Sequence, residues 1–504
     1  MQSLVNNDTG WSLWSKDIFF VITPDSTAGP QAWVDAYHST HDTRFVDDLQ
    51  IRGGALQGAV ALDYPAGTGG HRYDKIHIVY DGVNGQLPNL DLINTVTVIA
   101  SDYMGIGTAI QRMWNHDDSY KERMKTMLHG MLVQGLGHAS GPHSSFIPYH
   151  VDAITLQTVG DGWHDEISLG RLVESTFRSL NNLLEHLHQS FFFYLLMNAR
   201  RFVSIGTYLP SAMLVAINFS IMSIALWVQS GRPRVAAITS EPAPITSEKD
   251  ISDEKASGTV EVLEHRGMIT VVPKQLLAVE ERALLFPTAF VFFAHCLGLA
   301  PLYVLGGGVP DVRIPTGPTS NVTLFSNHAM NTTFVAITLV TTVLPYGTAY
   351  LLRKKKLMTM QAMTLIPCIS LLLVGIMLAT LSTLNFSLGL LVGLAASPLS
   401  LLQAPLLIPT SSTKVTAKKN KTLAVVTLLV LHLFSPTTLT YIASAVLGKA
   451  GWGDVGALLS LASEAWTVHA TYTAGVVWLL WWPAWFVAVV CAASRLFPSE
   501  VINE

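Results

Sequence analysis

The chain has 504 residues, of which 13% are charged and 50% apolar. Its mean hydropathy is +0.38. Ordinary soluble domains carry about a quarter charged residues, so this composition excludes a wholly water-soluble protein. The formal net charge of −4 leaves no basic footprint for nucleic acid. The only cysteines, Cys296, Cys368 and Cys491, all fall in apolar segments. The first 290 residues therefore have neither a disulfide framework nor a cysteine zinc site, and the three thiols read as buried structural groups.

In chain order, the opening MQSLVNNDTGWSLWSKD has no basic n-region and no apolar core, so it is not a signal peptide. Residues 1–200 read as α/β. KDIFFVIT (16–23) is a short apolar run before a Pro-Asp turn, expected as a buried strand. PQAWVDAYH follows as a helix with Pro30 near its start. ALQGAVALDY (55–64) and KIHIVYDG (75–82) read as strands. LPNLDLINTVTVIAS and SYKERMKTMLHGMLVQGLG (119–137) read as helices, and VDAITLQTV (151–159) as a last strand. Strands alternating with helices predict a largely parallel, covered sheet. Leu169, Leu172, Val173, Phe177, Leu180, Leu183, Leu184 and Leu187 then recur at helical spacing, opposite Glu174, Arg178 and Glu185. They predict an amphipathic helix on a globular domain or a membrane surface. Phe191, Phe192, Phe193 and Tyr194 follow, an aromatic cluster suited to the headgroup level.

Residues 201–504 form the second part. Seven apolar segments, at about 205–228, 284–304, 333–352, 361–381, 386–409, 422–447 and 473–495, are each long enough to cross a bilayer. Loop 229–283 carries seven Lys/Arg, loops 353–360 and 410–421 four each, and Arg495 closes the last segment. The alternate loops 305–332, 382–385 and 448–472 hold only Arg313 and Lys449. The positive-inside rule puts the basic loops in the cytosol and residues 1–200 on the luminal side. Within 232–281, EPAPITSEKDISDEKASG reads as a disordered cytosolic linker. Sequons at Asn7 and Asn321 fall on the luminal side and are candidate glycosylation sites, whereas Asn331 abuts a span and Asn218 lies inside one. A luminal domain has to be threaded across the membrane. The sequence is therefore expected to lack its true start, a first spanning segment and the beginning of the domain; the other route is translocation by segment 205–228 alone.

LNNLLEHLHQSFFFYLL followed by RFVSIGTYLP resembles the segment where the GPI-anchor attachment (Gaa-type) family of GPI transamidase subunits enters the membrane. WSKDIFFVIT…AWVDAYH (14–38) and NGQLPNLDLIN (84–94) are similar to the same family, in the same order. The resemblance implies an N-terminal membrane anchor and a luminal α/β domain like a zinc aminopeptidase, followed by an all-α multi-span domain. GPHSSFIPYHVDAITL (141–156) resembles the peptidase stretch in which a zinc-binding histidine precedes a buried strand. That match puts His143 at a ligand position and Asp63 where a carboxylate ligand ends a strand. A catalytic zinc needs about three protein ligands and an open position. After KDIFFVIT the peptidases carry a Glu-Glu pair, whereas this chain has Pro24, Asp25, Ser26 and Thr27. No glutamate is there to deprotonate an attacking water, so the expectation is a pseudo-peptidase with a vestigial metal site and no cofactor.

In the membrane half, Pro345, Pro367, Pro398, Pro405, Pro409, Pro436 and Pro483 interrupt apolar segments, each freeing a carbonyl for a neighbour or ligand. WLLWWPAWF (478–486) surrounds Pro483 with tryptophans, and Gln403 lies near Pro405. An aromatic belt explains the cluster without a ligand. The family resemblance implies instead a GPI-lipid site, with Pro483, Trp482, Trp485 and Gln403 as candidates. It also implies an endoplasmic-reticulum subunit that presents the GPI lipid beside a caspase-like cysteine subunit acting on proprotein C-termini. A membrane-tethered metal-dependent peptidase or amide-forming enzyme is the rival reading. A transporter is disfavoured by the absence of an inverted repeat and the scarcity of intramembrane charge.

Overall fold

The computed structural model describes residues 14–44, 47–65, 70–182, 192–231, 234–235, 260–265, 268–273, 277–278, 281–308, 327–401, 414–448 and 455–497. Its first body is a four-stranded sheet in the order β1-β4-β2-β3, with β1 Gly58–Asp63, β2 Tyr73–Val79, β3 Gly107–Ile110 and β4 Asp152–His164. Strand alternation divides the residues between two faces. Ile76, Ile78, Ile154 and Leu156 point to one face and are fully buried. Helix α2 (Leu90–Val98) and helix α4 (Glu166–Asn181) cover that face through Leu92, Ile93, Val96, Leu169, Leu172 and Val173. The intervening residues, His77 on β2 with Thr155 and Gln157 on β4, look the other way into a cleft. Helix α1 (Ala28–Tyr37), helix α3 (Tyr120–Leu136) and the loop after α3 border it.

Two of the three strand pairings are parallel, and the central one makes the sheet mixed. β1 runs parallel to β4 and β2 parallel to β3, but β2 and β4 are antiparallel. β3 has only four residues and was not foreseen, because so short a run carries too little periodicity to distinguish it from a turn. The larger correction is KDIFFVIT, which forms no strand. Phe19, Phe20, Val21 and Ile22 are 37%, 51%, 38% and 96% exposed. Among the described residues no strand lies beside this run, and apolar side chains cannot be buried by a sheet they do not join. The first part of the expected amphipathic helix is α4, which packs on the sheet, whereas Leu183, Leu184, Glu185, Leu187 and Phe191 lie outside the described residues. Tyr194, expected at the headgroup level, is buried in the α/β core with its hydroxyl donating to Pro88 O at 2.8 Å. Phe192 and Phe193 are 42% and 51% exposed. A hairpin of β5 (Tyr194–Asn198) and β6 (Arg201–Ser204) leads straight into the first long apolar helix.

The second body is helical. Helices long and apolar enough to cross a membrane are α5 (Ile205–Ser230), α6 with its extension (Leu285–Gly306), most of α7 (Ala329–Lys354), α8 (Met360–Leu384) and α13 (Thr473–Ala493). A further pair, α10 and α11, passes together as Lys421–Leu433 and Pro436–Val446 with a 46° bend. The expected segment 386–409 contains the shorter α9 (Phe386–Ala396) and a turn at Pro398–Leu401, and its remainder lies outside the described residues. Loop 448–472 contains a helix, α12 (Val455–His469). Inside the expected linker, Val260–His265 pairs antiparallel with Met268–Pro273; most of the rest of that stretch lies outside the described residues.

Contacts within the bundle rest on small residues and hydroxyls, as expected where lipid supplies no hydrophobic drive between helices. Ser223 on α5 donates to Cys368 O on α8 at 2.8 Å, and the Cys368 thiol returns a bond to Ser223 O at 3.3 Å. Asn218, the intramembrane sequon, donates to Ser400 Oγ at 2.6 Å. The α10–α11 bend follows from Ser435-Pro436. Pro436 is the first residue of α11 and Ser435 Oγ accepts from Thr438 N at 3.1 Å, a serine cap before a proline. Ser435 N turns to His432 O, and the carbonyl of Leu431 is taken by Trp485 Nε1 at 2.7 Å.

α13 is the most enclosed span, with 83% of its most apolar 18 residues buried against 17% for α7. A π-turn at Val477–Trp481 precedes Pro483, and the Trp482 amide bonds to Val477 O instead of Trp478 O. The next amide position is proline, so Trp478 O is left without a helical donor. It lies over Gly298 on α6, where an added Cβ would fall 1.9 Å from it. The carbonyl released by Pro483 is therefore accommodated by a glycine on the neighbouring helix. Gly298→Ala is expected to destabilise the detergent-solubilised protein by about 1–3 kcal/mol, the usual cost of overpacking. Gly347→Ala, where a Cβ meets nothing within 4 Å, should be neutral or stabilising. Apparent melting temperatures of the two variants check the contrast.

Candidate functional site

The cleft is ordered by sheet register. Asp63, Gln157 and His77 lie side by side on β1, β4 and β2, and their side chains join in one row. The Arg112 amide donates to His77 Nε2 at 3.0 Å, so that nitrogen carries no proton. His77 Nδ1 then donates to Gln157 Oε1 at 2.9 Å, and Gln157 Nε2 donates to Asp63 Oδ2 at 2.8 Å. Burial lowers the His77 pKa, in keeping with a neutral ring.

His143 lies over the adjacent part of the same face. It is fully buried, held between Thr155 Oγ1 at 2.8 Å from Nδ1 and Asp81 O at 3.1 Å from Nε2. A carbonyl can only accept, so Nε2 donates and Nδ1 accepts from the threonine hydroxyl. Burial holds this imidazole down at about 4. Asp63 and His143 thus border the same cleft while bonding to different partners, and both ring nitrogens of His143 are occupied. Among the described residues no group of three or more His, Cys, Asp or Glu side chains is placed to hold a metal. Asp25, in the loop after KDIFFVIT, accepts from the amides of Thr27 and Gly29, both at 2.9 Å, at the start of α1. The Gly29 and Thr27 amides hold its carboxyl below the ordinary value.

Sequence reasoning missed Asp81, which follows β2. Its side chain is buried, Oδ2 accepts from Gln111 Nε2 at 2.6 Å, and Gln111 also donates to Tyr80. Burial pushes its pKa up to about 7. Its backbone carbonyl gathers the His143 ring and the hydroxyls of Ser144 and Ser140, which ties the 140–144 loop to the strand end.

The seam between the two bodies was missed as well. Asn84 has a left-handed backbone, φ +58° and ψ +23°, a conformation asparagine tolerates better than other non-glycine residues. This exposes its carbonyl to Asn385 Nδ2 and the Tyr472 hydroxyl, both at 2.9 Å. Asn84 Oδ1 accepts from Tyr472 N at 2.9 Å, Nδ2 donates to Ala470 O at 3.3 Å, and its amide donates to Gly137 O at 3.0 Å. Asn385 also donates to Gln134 O at 2.9 Å, while its Oδ1 caps α9 at Leu388 N. Ser387 donates to Gln134 Oε1 at 3.1 Å and Thr473 to Leu136 O at 3.1 Å. Gly85 has φ +72°, and a Cβ there would sit 2.5 Å from Asn385 Nδ2. The "NG" dipeptide was the available signal for this turn.

Of the candidates in the bundle, Trp482, Pro483 and Trp485 are buried in α13. Trp482 packs on Phe486 at 5.5 Å, and Trp485 lies edge-on to His432 at 5.4 Å. Gln403, Asn7 and Asn321 lie outside the described residues.

A mixed α/β body seated by a polar seam on a bundle of membrane-crossing helices defines a multi-span membrane protein with a large extramembranous domain. The chain belongs to the Gaa1-like, GPI transamidase component family, whose profile matches residues 1–489. It is 39% identical over 233 residues to the GPI transamidase component gaa1 of Schizosaccharomyces pombe, covering 45% of this chain and 40% of that protein. It is 35% identical over 239 residues to the GPI transamidase component GAA1 of Saccharomyces cerevisiae, covering 46% of this chain and 37% of that protein. These matches span less than half the length of either relative.

The two buried titratable groups of the cleft oppose each other in pH. Asp81 is raised from 3.8 to about 7. Its protonated form therefore stabilises the fold fully below the ordinary value, and that contribution is lost as pH rises through about 7. His143 is lowered from 6.5 to about 4, so its contribution is present above 6.5 and lost as pH falls through 4. Asp81→Asn keeps an acceptor for Gln111 without the ionisation. Its stability relative to the parent is expected to increase by about 1.4 kcal/mol per pH unit between pH 5 and 7 and then level off. Thermal unfolding at pH 5, 6, 7 and 8 measures this; a difference independent of pH would contradict it.

Proposed function

We propose that this chain is a non-catalytic subunit of the GPI transamidase of the endoplasmic reticulum, presenting the GPI lipid to a separate caspase-like cysteine subunit. The carrying observation is the family match over residues 1–489, on a chain whose α/β body is bonded to its membrane bundle through Asn84, Gln134 and Asn385. In the reaction, a proprotein's C-terminal peptide is replaced by the amine-bearing lipid. The thiol nucleophile belongs to the partner: the three cysteines of this chain lie in α6, α8 and α13. A subunit that holds the lipid beside that thiol contributes proximity rather than bond chemistry.

The α/β body is read as an aminopeptidase-like domain facing the lumen, with Asp63 and His143 as remnants of a metal site. Two features support its orientation. The connections that touch the body, at Asn385 and at Ala470–Thr473, belong to the loops poor in Lys/Arg. The basic connections are at the far helix ends, where Arg282 bonds to Ser230 and Arg353 to Phe497 O. The lipid is assigned to the bundle, with Trp482, Pro483, Trp485 and Gln403 as candidates; the buried tryptophans would act through the shape of α13. Asn7 and Asn321 are the proposed glycosylation sites.

Affinity purification in mild detergent is expected to recover a caspase-like subunit and GPI lipid with this chain; recovery of neither overturns the assignment. Asp63→Asn, at an exposed position, should leave turnover of the assembled complex within about twofold. A loss of turnover on the order of a hundredfold, with assembly and lipid recovery intact, would instead identify a metal-dependent catalyst.

A further inference from the structure

The turn after β3 is made of two residues that seldom adopt its conformation. Gln111 and Arg112 are both left-handed, with φ +53° and +57°, a region that few non-glycine residues occupy. Met113 N closes the turn onto Ile110 O at 3.0 Å. Fixed partners hold the pair in place. The Gln111 side-chain amide donates to Asp81 Oδ2 at 2.6 Å and to the Tyr80 hydroxyl at 2.9 Å, and the Arg112 backbone amide donates to His77 Nε2 at 3.0 Å. Strain of this kind persists where the surroundings over-determine it, and it clusters at ligand sites. Here it folds the turn back over the cleft face of the sheet and leaves Arg112 exposed on the cleft wall.

Imidazoles make up the adjoining wall. With its NH₂ group turned to Asp81 and Tyr80, Gln111 presents Oε1 to His129 Nδ1 of α3 at 3.2 Å. That oxygen only accepts, so Nδ1 carries the proton and Nε2 keeps a lone pair. His138 follows Gly137, the left-handed residue (φ +67°) that ends α3, and lines the same cleft. Burial lowers the pKa of His77, His129 and His138, and the guanidinium of Arg112 adds to the effect at all three rings. One permanent cation thus lies within electrostatic reach of three imidazoles and disfavours their protonation. An anion placed among them reverses that influence. The carboxylate of Asp63 is two strands away from His77, about 10 Å by strand spacing, at the far end of the row.

We propose that Arg112, His129 and His138 form a binding site for a phosphate group. The guanidinium fork pairs with two phosphate oxygens. His129 Nε2 accepts from a P–OH or, once protonated, donates to a third oxygen. The three side chains arrive from the β3 turn, α3 and the loop after it, which suits a tetrahedral anion; a planar carboxylate would be served by the arginine alone. The cavity bounded by this wall measures 1470 Å³ and is also lined by Val446 and Leu461 of the bundle. A soluble phosphate ester and the headgroup of a lipid share the required chemistry. The site is independent of the reaction proposed above.

The test is calorimetric titration of the full chain, in a non-ionic detergent and phosphate-free buffer, with glycerol 3-phosphate, glycerophosphoethanolamine and acetate. Saturable binding of at least one phosphate compound, at least tenfold tighter than acetate, is expected. Tighter binding of the monoester points to a soluble ester, and tighter binding of the diester to a lipid headgroup. Arg112→Gln should weaken binding at least fivefold. Glutamine bears a left-handed backbone at much the same cost as arginine, and an unchanged melting temperature checks that the turn survives. Arg112→Lys keeps the charge and should bind at least threefold tighter than Arg112→Gln. No saturable phosphate binding, equal binding of acetate, a loss below fivefold in Arg112→Gln, or equal weakening in both variants overturns the site.

Discussion

The architecture depends on one backbone conformation, the left-handed turn at Asn84. A right-handed or extended residue there would direct its carbonyl elsewhere, and the two bodies would lose the acceptor shared by Asn385 and Tyr472. The amide, carbonyl and both side-chain polar atoms of Asn84 are engaged, four of these bonds crossing to the bundle. The seam is polar on both sides, and such groups are costly to leave unpaired once buried. That asymmetry makes the seat specific, because a displaced body would strand Asn385 and Gln134, which are only 3% and 5% exposed.

The same economy of partners recurs in the bundle. Where proline removes a helical hydrogen bond, a neighbouring helix provides the accommodation: Gly298 admits Trp478 O, and Trp485 takes Leu431 O near the Ser435-Pro436 break. Every break in the backbone must be resolved internally where water is absent. Small residues and indole N–H groups at the crossings are thus determined by breaks elsewhere. In the α/β body, His143 holds the 140–144 loop to β2 and β4 through a carbonyl and a hydroxyl, with its ring kept neutral by burial.

Much of this was legible in the sequence. Length and apolarity located the five long apolar helices and the bent pair α10–α11, out of seven segments expected, and the runs at 55–64, 75–82 and 151–159 located β1, β2 and β4, because these signals are local. The stretches at 14–38, 84–94 and 180–210 pointed to the Gaa-type family. What failed depended on partners distant in the chain. KDIFFVIT has the pattern of a buried strand, but burial requires a neighbour, and beside it there is a cavity. Tyr194 sits among aromatics suited to a bilayer surface, yet its hydroxyl finds Pro88 O in the domain core. Asp81 gave no signal, since a lone aspartate after a strand is commonly solvated. The seam was invisible for the same reason: Asn84 and Asn385 are 301 residues apart, and only the fold brings them together.

The most direct measurement of the central claim is the distance distribution between spin labels on the two bodies. Labels at Trp163, which is 90% exposed on the α/β body, and Leu339, which is 64% exposed on α7, would be read by pulsed dipolar resonance in a Cys296→Ser background. The account predicts one narrow distribution for the parent protein. It predicts a broadened or shifted one for Asn84→Ala and one close to the parent's for Asn84→Gly, since glycine keeps the left-handed backbone and the carbonyl acceptor. A narrow, unshifted distribution for Asn84→Ala, or one for Asn84→Gly as disturbed as that for Asn84→Ala, would show that the body is seated by something other than this backbone conformation.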